Sequence, residues 1–229
     1  MVLHGFSHVF CLNILNRRCV KGALEVNNLL PVFNTKLLRG YAEVNPHVVT
    51  LVQECKEWAK ERGVHGAQRG HLSSYAFTLM VIFFLQVRKE LPVLQKGSEQ
   101  RPVWFSEGKR RYNVAMEEPD AERYASRDGA SFTDFIRFYR VEFQWGKQVV
   151  SVRRGELLDL ASYPEMKKNL RRGVSNVESA WMIHIEDPFD LARNLNSVLA
   201  PGKNEWLWQA FEGTPAGVRR WRRGGYARS

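Results

Sequence analysis

The sequence predicts an α+β protein in which helices dominate. Between residues 34 and 95, cap residues and apolar patterns predict three helices, one with a buried stripe at three- and four-residue spacing and one apolar nearly all round. Short β-branched segments at residues 149–152 and 181–185 favour strands further along the chain. Apolar residues make up 44% of the chain and charged residues 25%, which is the balance of a globular protein that buries a core.

The chain carries an excess of positive charge. Lys and Arg number 34 against 24 Asp and Glu, so the formal net charge of the 229 residues is +10 at pH 7. This balance suits a polyanionic partner such as RNA, DNA or a nucleoside triphosphate. Three cysteines without zinc spacing, and no apolar run long enough for a membrane span, favour a soluble intracellular protein with no membrane partner. Both the cytoplasm and the mitochondrion fit this expectation.

The first part of the chain is expected to change from strand to helix. Residues 8–33 alternate irregularly between apolar and polar side chains, which favours one or two strands that end near Pro31. Asn34 and Thr35 are both common N-cap residues, so a helix is predicted directly after them.

Two further helices are predicted before residue 95. The second helix begins at Asn45-Pro46 and ends at Gly63, and its buried stripe comprises Val48, Leu51, Val52, Cys55 and Ala59. Ser73 and Ser74 cap a third helix that is apolar nearly all round. This third helix therefore belongs at the centre of a helical bundle.

The second half of the chain mixes loops, helices and strands. Residues 96–130 are rich in Gly, Ser, Pro and mixed charges, which favours a surface insertion or linker over core. A new helix is predicted from Ser131, with Phe132, Phe135, Ile136, Phe138 and Tyr139 on one face. Asp187-Pro188 is a helix start signal, so a further helix is expected there.

Four segments follow one another in an order that resembles one protein family. They read NNLLPVFNTKLL (27–38), CKEWAKERG (55–63), LSSYAFTLM (72–80) and HIEDPFD (184–190). Together with residues 132–153, they resemble the central and poly(A)-polymerase-associated regions of the non-canonical RNA nucleotidyltransferases, the terminal uridylyltransferases in particular. The likeness covers roughly residues 20–200.

The resemblance implies a division of the chain into five parts. These are remnant strands of the catalytic nucleotidyltransferase domain (1–33), a central helical nucleotide-binding region (34–95), a polar insertion or linker (96–130), a poly(A)-polymerase-associated region (131–212) and a basic tail (213–229).

The resemblance also implies which residues bind the sugar and the phosphates. Asn34 and Thr35 match the pair that hydrogen-bonds the ribose and the pyrimidine edge, where an amide supplies both a donor and an acceptor. Lys56 and Lys60 match the helical lysines that hold the triphosphate, and their four-residue spacing lets both ammonium groups reach one polyanion. Ser74 matches a hydroxyl that contacts phosphate.

The remaining matches concern the base. Tyr75 matches the aromatic residue on which the base stacks, and Asp187 and Asp190 match two acids near the base edge. A carboxylate only accepts hydrogen bonds, and uracil N3–H donates where adenine N1 accepts, so acids there favour uracil. Arg193 stands where some uridylyltransferases carry a histidine that helps to exclude adenine. Arginine also fills space and donates, so UTP remains the expected substrate.

Each of these residues has a structural alternative that the sequence leaves open. Asn34 and Ser74 could be helix caps, Lys56 and Lys60 a solvated helix face, Tyr75 core packing, and Asp187 the start of a helix.

The chain departs from the family at the catalytic metal site. Members of the family use three aspartates, two of them in an Asp-x-Asp pair after a Gly-Ser turn, to hold two Mg²⁺ ions. This sequence has no such pair, no aspartate before Asp120, and Ala23 at the position of the third acid. Glu25 would face the same side of a strand and is a weak substitute. We therefore assign no catalytic or metal-binding residue, and expect Mg²⁺ to be held by a catalytic domain that this chain lacks.

The tail after residue 213 combines positive charge with an aromatic ring. Arg219, Arg220, Arg222 and Arg223 flank Trp221. Guanidinium groups bind backbone phosphate and indole stacks on bases, so these residues are candidates for RNA binding, with a solvated terminus as the alternative.

Taken together, the sequence predicts the nucleotide- and RNA-binding portion of a template-independent RNA 3′-terminal nucleotidyltransferase that prefers UTP. Its partners would be UTP, an RNA 3′ end and other proteins of an RNA-processing complex, and the chain alone would be inactive. Two alternatives stay open. One is a non-catalytic RNA-binding subunit or pseudoenzyme, and the other is a poly(A)-polymerase-like protein that uses ATP.

Overall fold

The computed structural model describes residues 29–118, 122–124, 129–168 and 182–214. The strands expected before residue 29 lie outside the described residues. The same is true of two groups of candidate residues: Ala23 and Glu25 near the N-terminus, and Arg219, Arg220, Trp221, Arg222 and Arg223 in the tail.

Three long helices form the first half of the described chain. They are α1 (Leu30–Val44), α2 (His47–Glu61) and α3 (Ser74–Val87). Helix α3 is buried on nearly every side, which confirms its predicted place at the centre of the bundle. Its N-cap is Ser73, whose hydroxyl accepts a hydrogen bond from the N–H of Ala76. The predicted stripe of α2 is buried, including Cys55, so this thiol is part of the core.

Helix α1 begins earlier than predicted, at Leu30. The expectation of a strand ending near Pro31, followed by a helix after Asn34, is therefore wrong. Pro31 lies in the first helical turn. Backbone N–H groups in this turn have no acceptor within the helix, so proline loses no hydrogen bond there, and its fixed φ suits a helix. Thr35 lies one turn on, and its hydroxyl donates to the Pro31 carbonyl over 2.8 Å. Neither Asn34 nor Thr35 caps the helix.

A β-hairpin lies inside the segment expected to be a polar insertion. Strands β1 (Trp104–Glu107) and β2 (Arg110–Asn113) pair antiparallel across a turn in which Gly108 has a φ of 57°. Tyr112, on β2, is buried in the main core, so this segment contributes packing as well as surface. The strands read WFSE and RRYN, so neither shows the alternation of polar and apolar residues by which a sequence predicts a strand.

The second half of the chain contains shorter elements. Helix α4 (Phe132–Arg137) begins at Ser131 as predicted, with a capping box between Ser131 and Asp134, and continues as a π-helical turn. A three-stranded sheet follows, with β3 (Gln148–Val150) between antiparallel β4 (Leu158–Asp159) and parallel β5 (His184–Ile185). Two further α-helices lie in the described part of the chain, α5 (Pro164–Lys168) and α6 (Lys203–Glu212).

The helix expected after Asp187-Pro188 is replaced by a closed loop. The Asp187 Oδ1 atom accepts hydrogen bonds from the N–H groups of Phe189 and Asp190, both at 3.1 Å. The Arg193 N–H donates to the Asp190 carbonyl, and its own carbonyl accepts from the Asp187 N–H. Because these bonds turn the backbone back on itself, no helical turn forms, and the next element is a 3₁₀ turn at Leu195–Val198.

One hydrophobic core joins the helices to the three-stranded sheet. Phe135, Tyr139 and Phe211 are fully buried in it, and bring together α4, its π-helical extension and α6. Within the part of the chain that the structure describes, no helix combines the length and apolar character needed to cross a membrane.

Candidate nucleotide-binding site

The site begins where α1 and α3 meet. The Tyr75 hydroxyl, in the first turn of α3, donates to Oδ1 of Asn34 over 2.9 Å. Because Asn34 lies inside α1 rather than at its end, its side chain is available to a neighbouring element. This bond fixes the direction of the Tyr75 ring and links the residue predicted to stack on a base with one predicted to recognise the sugar and base edge.

The charges of the loop after β5 act on Tyr75. Burial raises the pKa of its hydroxyl well above the usual value; the Asp187 carboxylate raises it further, and Arg193 acts in the opposite direction. The Arg193 guanidinium lies 3.8 Å from the Asp187 carboxylate, so these two groups form an ion pair.

The two loop acids differ in their surroundings. Asp187 is 4% exposed, and burial raises the pKa of its carboxyl although two backbone N–H groups favour the charged form. Asp190 is half-buried and lies 3.4 Å from the guanidinium of Arg110 on the hairpin. The loop therefore presents acceptors of two kinds, one hydrogen-bonded and shielded from water, the other near solvent and paired with an exposed cation.

The cationic side of the site lies next to Ser74. The ring Nε2 of His65 and Oγ of Ser74 are 2.7 Å apart. Burial lowers the pKa of His65, and the positive charges of Lys60, Arg69 and Lys56 lower it further. Both predicted phosphate-binding lysines therefore act on a ring that touches Ser74.

Direct contacts join some of the nine predicted nucleotide-binding residues: Tyr75 to Asn34, and Arg193 to Asp187. The two lysines of α2 are linked to Ser74 only through their effect on the pKa of His65. The cap alternatives for Asn34 and Ser74 are wrong, since Leu29 and Ser73 stand at the two N-cap positions. The Thr35 hydroxyl hydrogen is used within α1, which leaves its oxygen as an acceptor.

Two neighbouring residues were missed by sequence reasoning. His65 stands in an irregular loop, where no spacing rule marks it. Arg110 reaches Asp190 only because the hairpin folds back, and the turn at Gly108 was the available signal. The hairpin and the loop enclose a groove of about 830 Å³, lined among others by Trp104, Arg110, Asp190 and Arg193.

The described residues do not fit the two-Mg²⁺ site of the family. Among them, no three His, Cys, Asp or Glu side chains lie close enough together to hold a metal ion. Asp187 and Asp190 are the nearest acids, but Asp187 accepts two backbone bonds and each acid faces an arginine. Their surroundings suit hydrogen bonding to a ligand rather than metal coordination.

Glu186, directly before Asp187, is buried between β3 and the loop. Ser151 Oγ donates to its carboxyl over 2.5 Å. Burial raises the pKa of Glu186 to about 7, against the opposing effects of the Ser151 bond and of Arg154 and Arg153. The carboxyl is therefore protonated in mildly acidic solution.

Replacing this group by glutamine is expected to change how stability depends on pH. Because the folded pKa of Glu186 lies above its ordinary value of 4.5, its contribution is complete below pH 4.5 and lost as pH rises through 7. The free energy of unfolding of Glu186→Gln, minus that of the wild type, should therefore rise by about 3 kcal/mol between these pH values. Urea denaturation at several pH values measures this difference.

His184 provides the internal check on this experiment. Burial lowers the pKa of His184 to about 4, so its contribution is lost as pH falls, in the variant and the wild type alike. It cancels in the difference between them. A difference that stays constant from pH 4.5 to 8 would show that Glu186 titrates normally in the folded protein.

The chain is similar in sequence to several known proteins. Residues 129–193 match the family model described as Cid1 family poly A polymerase. The chain is 30% identical over 183 residues to poly(A) RNA polymerase GLD2 of Bos taurus, covering 77% of this chain and 38% of that protein. It is 32% identical over 209 residues to terminal uridylyltransferase 7 of Homo sapiens, covering 84% and 13% respectively. The chain thus spans well under two thirds of the length of either relative.

Solved structures give the same fold. A crystal structure of Cid1 poly(U) polymerase matches with a TM-score of 0.61 and 25% identity, over 81% of this chain and 56% of that chain. Cid1 in complex with its short product ApU matches with a TM-score of 0.61 and 22% identity, over 81% and 58%. The predicted α+β class is confirmed. The regions of the chain that match are thus related to the non-canonical RNA nucleotidyltransferases.

Proposed function

We propose that this chain binds UTP and an RNA 3′ end as the nucleotide-binding portion of an RNA 3′-terminal uridylyltransferase. The observation that carries the proposal is the position of Tyr75. Its hydroxyl donates to Asn34; Ser74, directly before it in α3, touches His65 on the cationic side, and the charges of Asp187 and Arg193 act on it from the loop after β5. A nucleoside triphosphate has the same order of parts, with a polyanion at one end and a base edge at the other.

Each side chain then has a defined task. The uracil ring stacks on Tyr75, while a carboxylate of Asp187 or Asp190 accepts from its N3–H, directly or through water. The lysines of α2 and the Ser74 hydroxyl hold the phosphates through charge-assisted hydrogen bonds. In the complete reaction Mg²⁺ would assist attack by the RNA 3′-hydroxyl, and the described residues contribute binding rather than metal ligation. We therefore propose that this chain alone has no transferase activity.

Use of ATP is the second candidate. Arg193 lies 3.8 Å from Asp187, where its guanidinium partly neutralises the acid and can donate to an acceptor such as adenine N1. The relatives of this chain include proteins named as poly(A) polymerases and as uridylyltransferases, so kinship does not separate the two substrates.

Titration with UTP and ATP tests the proposal. Wild-type protein should bind UTP more tightly than ATP. Tyr75→Ala should weaken UTP binding about tenfold or more, because base–aromatic stacking contributes about 1–3 kcal/mol. Tyr75→Phe is the matched control, which keeps the ring and removes only the bond to Asn34, so its loss should be about threefold.

The outcomes separate the candidates. Equal affinity of wild type and Tyr75→Ala for UTP would overturn the proposed stacking site. Tighter binding of ATP than of UTP would favour the adenylate-using alternative. Circular dichroism of each variant verifies that the helices are intact.

A further inference from the structure

His65 has no counterpart among the residues that the resemblance assigns to the nucleotide. Its ring is nonetheless fixed on several sides. It stacks on Phe77 with the centroids 6.2 Å apart and an angle of 21° between the planes. Its carbonyl accepts from the Arg69 guanidinium over 2.8 Å, and its backbone forms a β-bridge with Leu72. The ring is thus held with Nε2 against the Ser74 hydroxyl.

The direction of this hydrogen bond decides what Ser74 can offer to a phosphate. A serine hydroxyl has one hydrogen, and phosphate oxygens only accept. If His65 Nε2 lacks a hydrogen, the Ser74 hydroxyl donates its hydrogen to this ring nitrogen. If Nε2 carries one, the ring donates to the Ser74 oxygen and the Ser74 hydrogen is released for a ligand.

We propose that His65 is a positioning residue for the triphosphate: its Nε2–H donates to the Ser74 oxygen and directs the Ser74 hydrogen toward a phosphate. The inference rests on the proposed function, since it names a further residue of the same nucleotide site. His65 acts through Ser74.

The charges around the ring make this arrangement depend on pH. Lys56 and Lys60 on α2, with Arg69 and His71 in the loop before α3, act on it through their charges, so in the free protein these groups join burial in lowering the pKa of His65. A bound triphosphate offsets the cations and raises that pKa, so binding takes up a proton. The protonated ring always carries Nε2–H, and UTP binding should therefore tighten as the pH falls from 8 to 6.

A set of variants tests the mechanism through UTP dissociation constants at pH 6 and pH 8. His65→Phe keeps the ring packing on Phe77 but removes the donor, and should weaken binding about five- to tenfold. His65→Gln places an amide donor near the position of Nε2, so it should retain most of the affinity at pH 8 while losing the wild-type pH response. Since every protein is titrated with the same UTP, the titration of the ligand itself cancels between wild type and variant.

A double-mutant cycle separates positioning from general packing. If His65 acts through Ser74, the double variant His65→Phe/Ser74→Ala should bind UTP no more weakly than Ser74→Ala alone. Additive losses, or equal affinities of wild type and His65→Phe, would overturn the inference and leave the proposed function standing. A wild type without measurable affinity for UTP would overturn both.

Discussion

Replacing Lys56 and Lys60 together by glutamine is expected to weaken UTP binding about a hundredfold or more. The two lysines lie one helical turn apart on α2, so one triphosphate is within reach of both ammonium groups. A hydrogen bond to a charged group contributes about 1.5–3 kcal/mol, and two of them give about 3–6 kcal/mol. Titration calorimetry at fixed ionic strength measures the loss.

The matched control carries the same charge change elsewhere. Lys96→Gln/Lys147→Gln removes two exposed lysines from other parts of the surface and should leave the affinity within about threefold. An equal loss in both double variants would show that UTP responds to overall charge and not to a site on α2.

A second readout of the same variant needs no ligand. Because Lys60 and Lys56 contribute to the lowering of the His65 pKa, their removal should raise that pKa toward its ordinary value of 6.5. Nuclear magnetic resonance titration of the histidine ring protons follows the change. An unchanged His65 pKa would place the lysines away from Ser74.

Periodic patterns in the sequence predicted the buried helices well. Apolar side chains at helical spacing form one face, and a folded protein buries that face in its core. The stripe of α2, the central position of α3 and the start of α4 at Ser131 follow from spacing and capping alone. The assignment of Tyr75 and its neighbours to a nucleotide site depends on the resemblance to the family as well, since a tyrosine in the first turn of a helix has many possible roles.

The predictions that are wrong concern segments whose structure depends on tertiary contacts. The start of α1 at Leu30 was missed because Pro31 is compatible with both a strand end and a first helical turn. The sequence predicts a helix after Asp187 because an aspartate side chain can cap a helix or stabilise a turn. The backbone hydrogen bonds with Arg193 close the segment into a loop, and these bonds depend on the folded structure. His65 and Arg110 depend on contacts across the fold, which local sequence does not encode.

The largest expected loss of stability follows from removing the Phe135 side chain. This ring is fully buried, with centroids 5.1 Å from Tyr139, 5.8 Å from Phe84 and 6.0 Å from Phe211. It therefore packs α3, α4 and α6 together. Phe135→Ala should lower the free energy of unfolding by about 3–5 kcal/mol, the sum of lost apolar burial and the cavity that remains. Chemical denaturation followed by circular dichroism measures this.

Val141→Ala is the control, since Val141 follows closely on the same helical segment but is 69% exposed. Its effect should stay within about 0.5 kcal/mol. Because the Phe135 cluster joins the helix that carries Tyr75 to α6, a cavity there should loosen the packing beneath the nucleotide site without removing any of its polar groups. A Phe135→Ala protein as stable as Val141→Ala would mean that α6 does not close the core over α3 and α4.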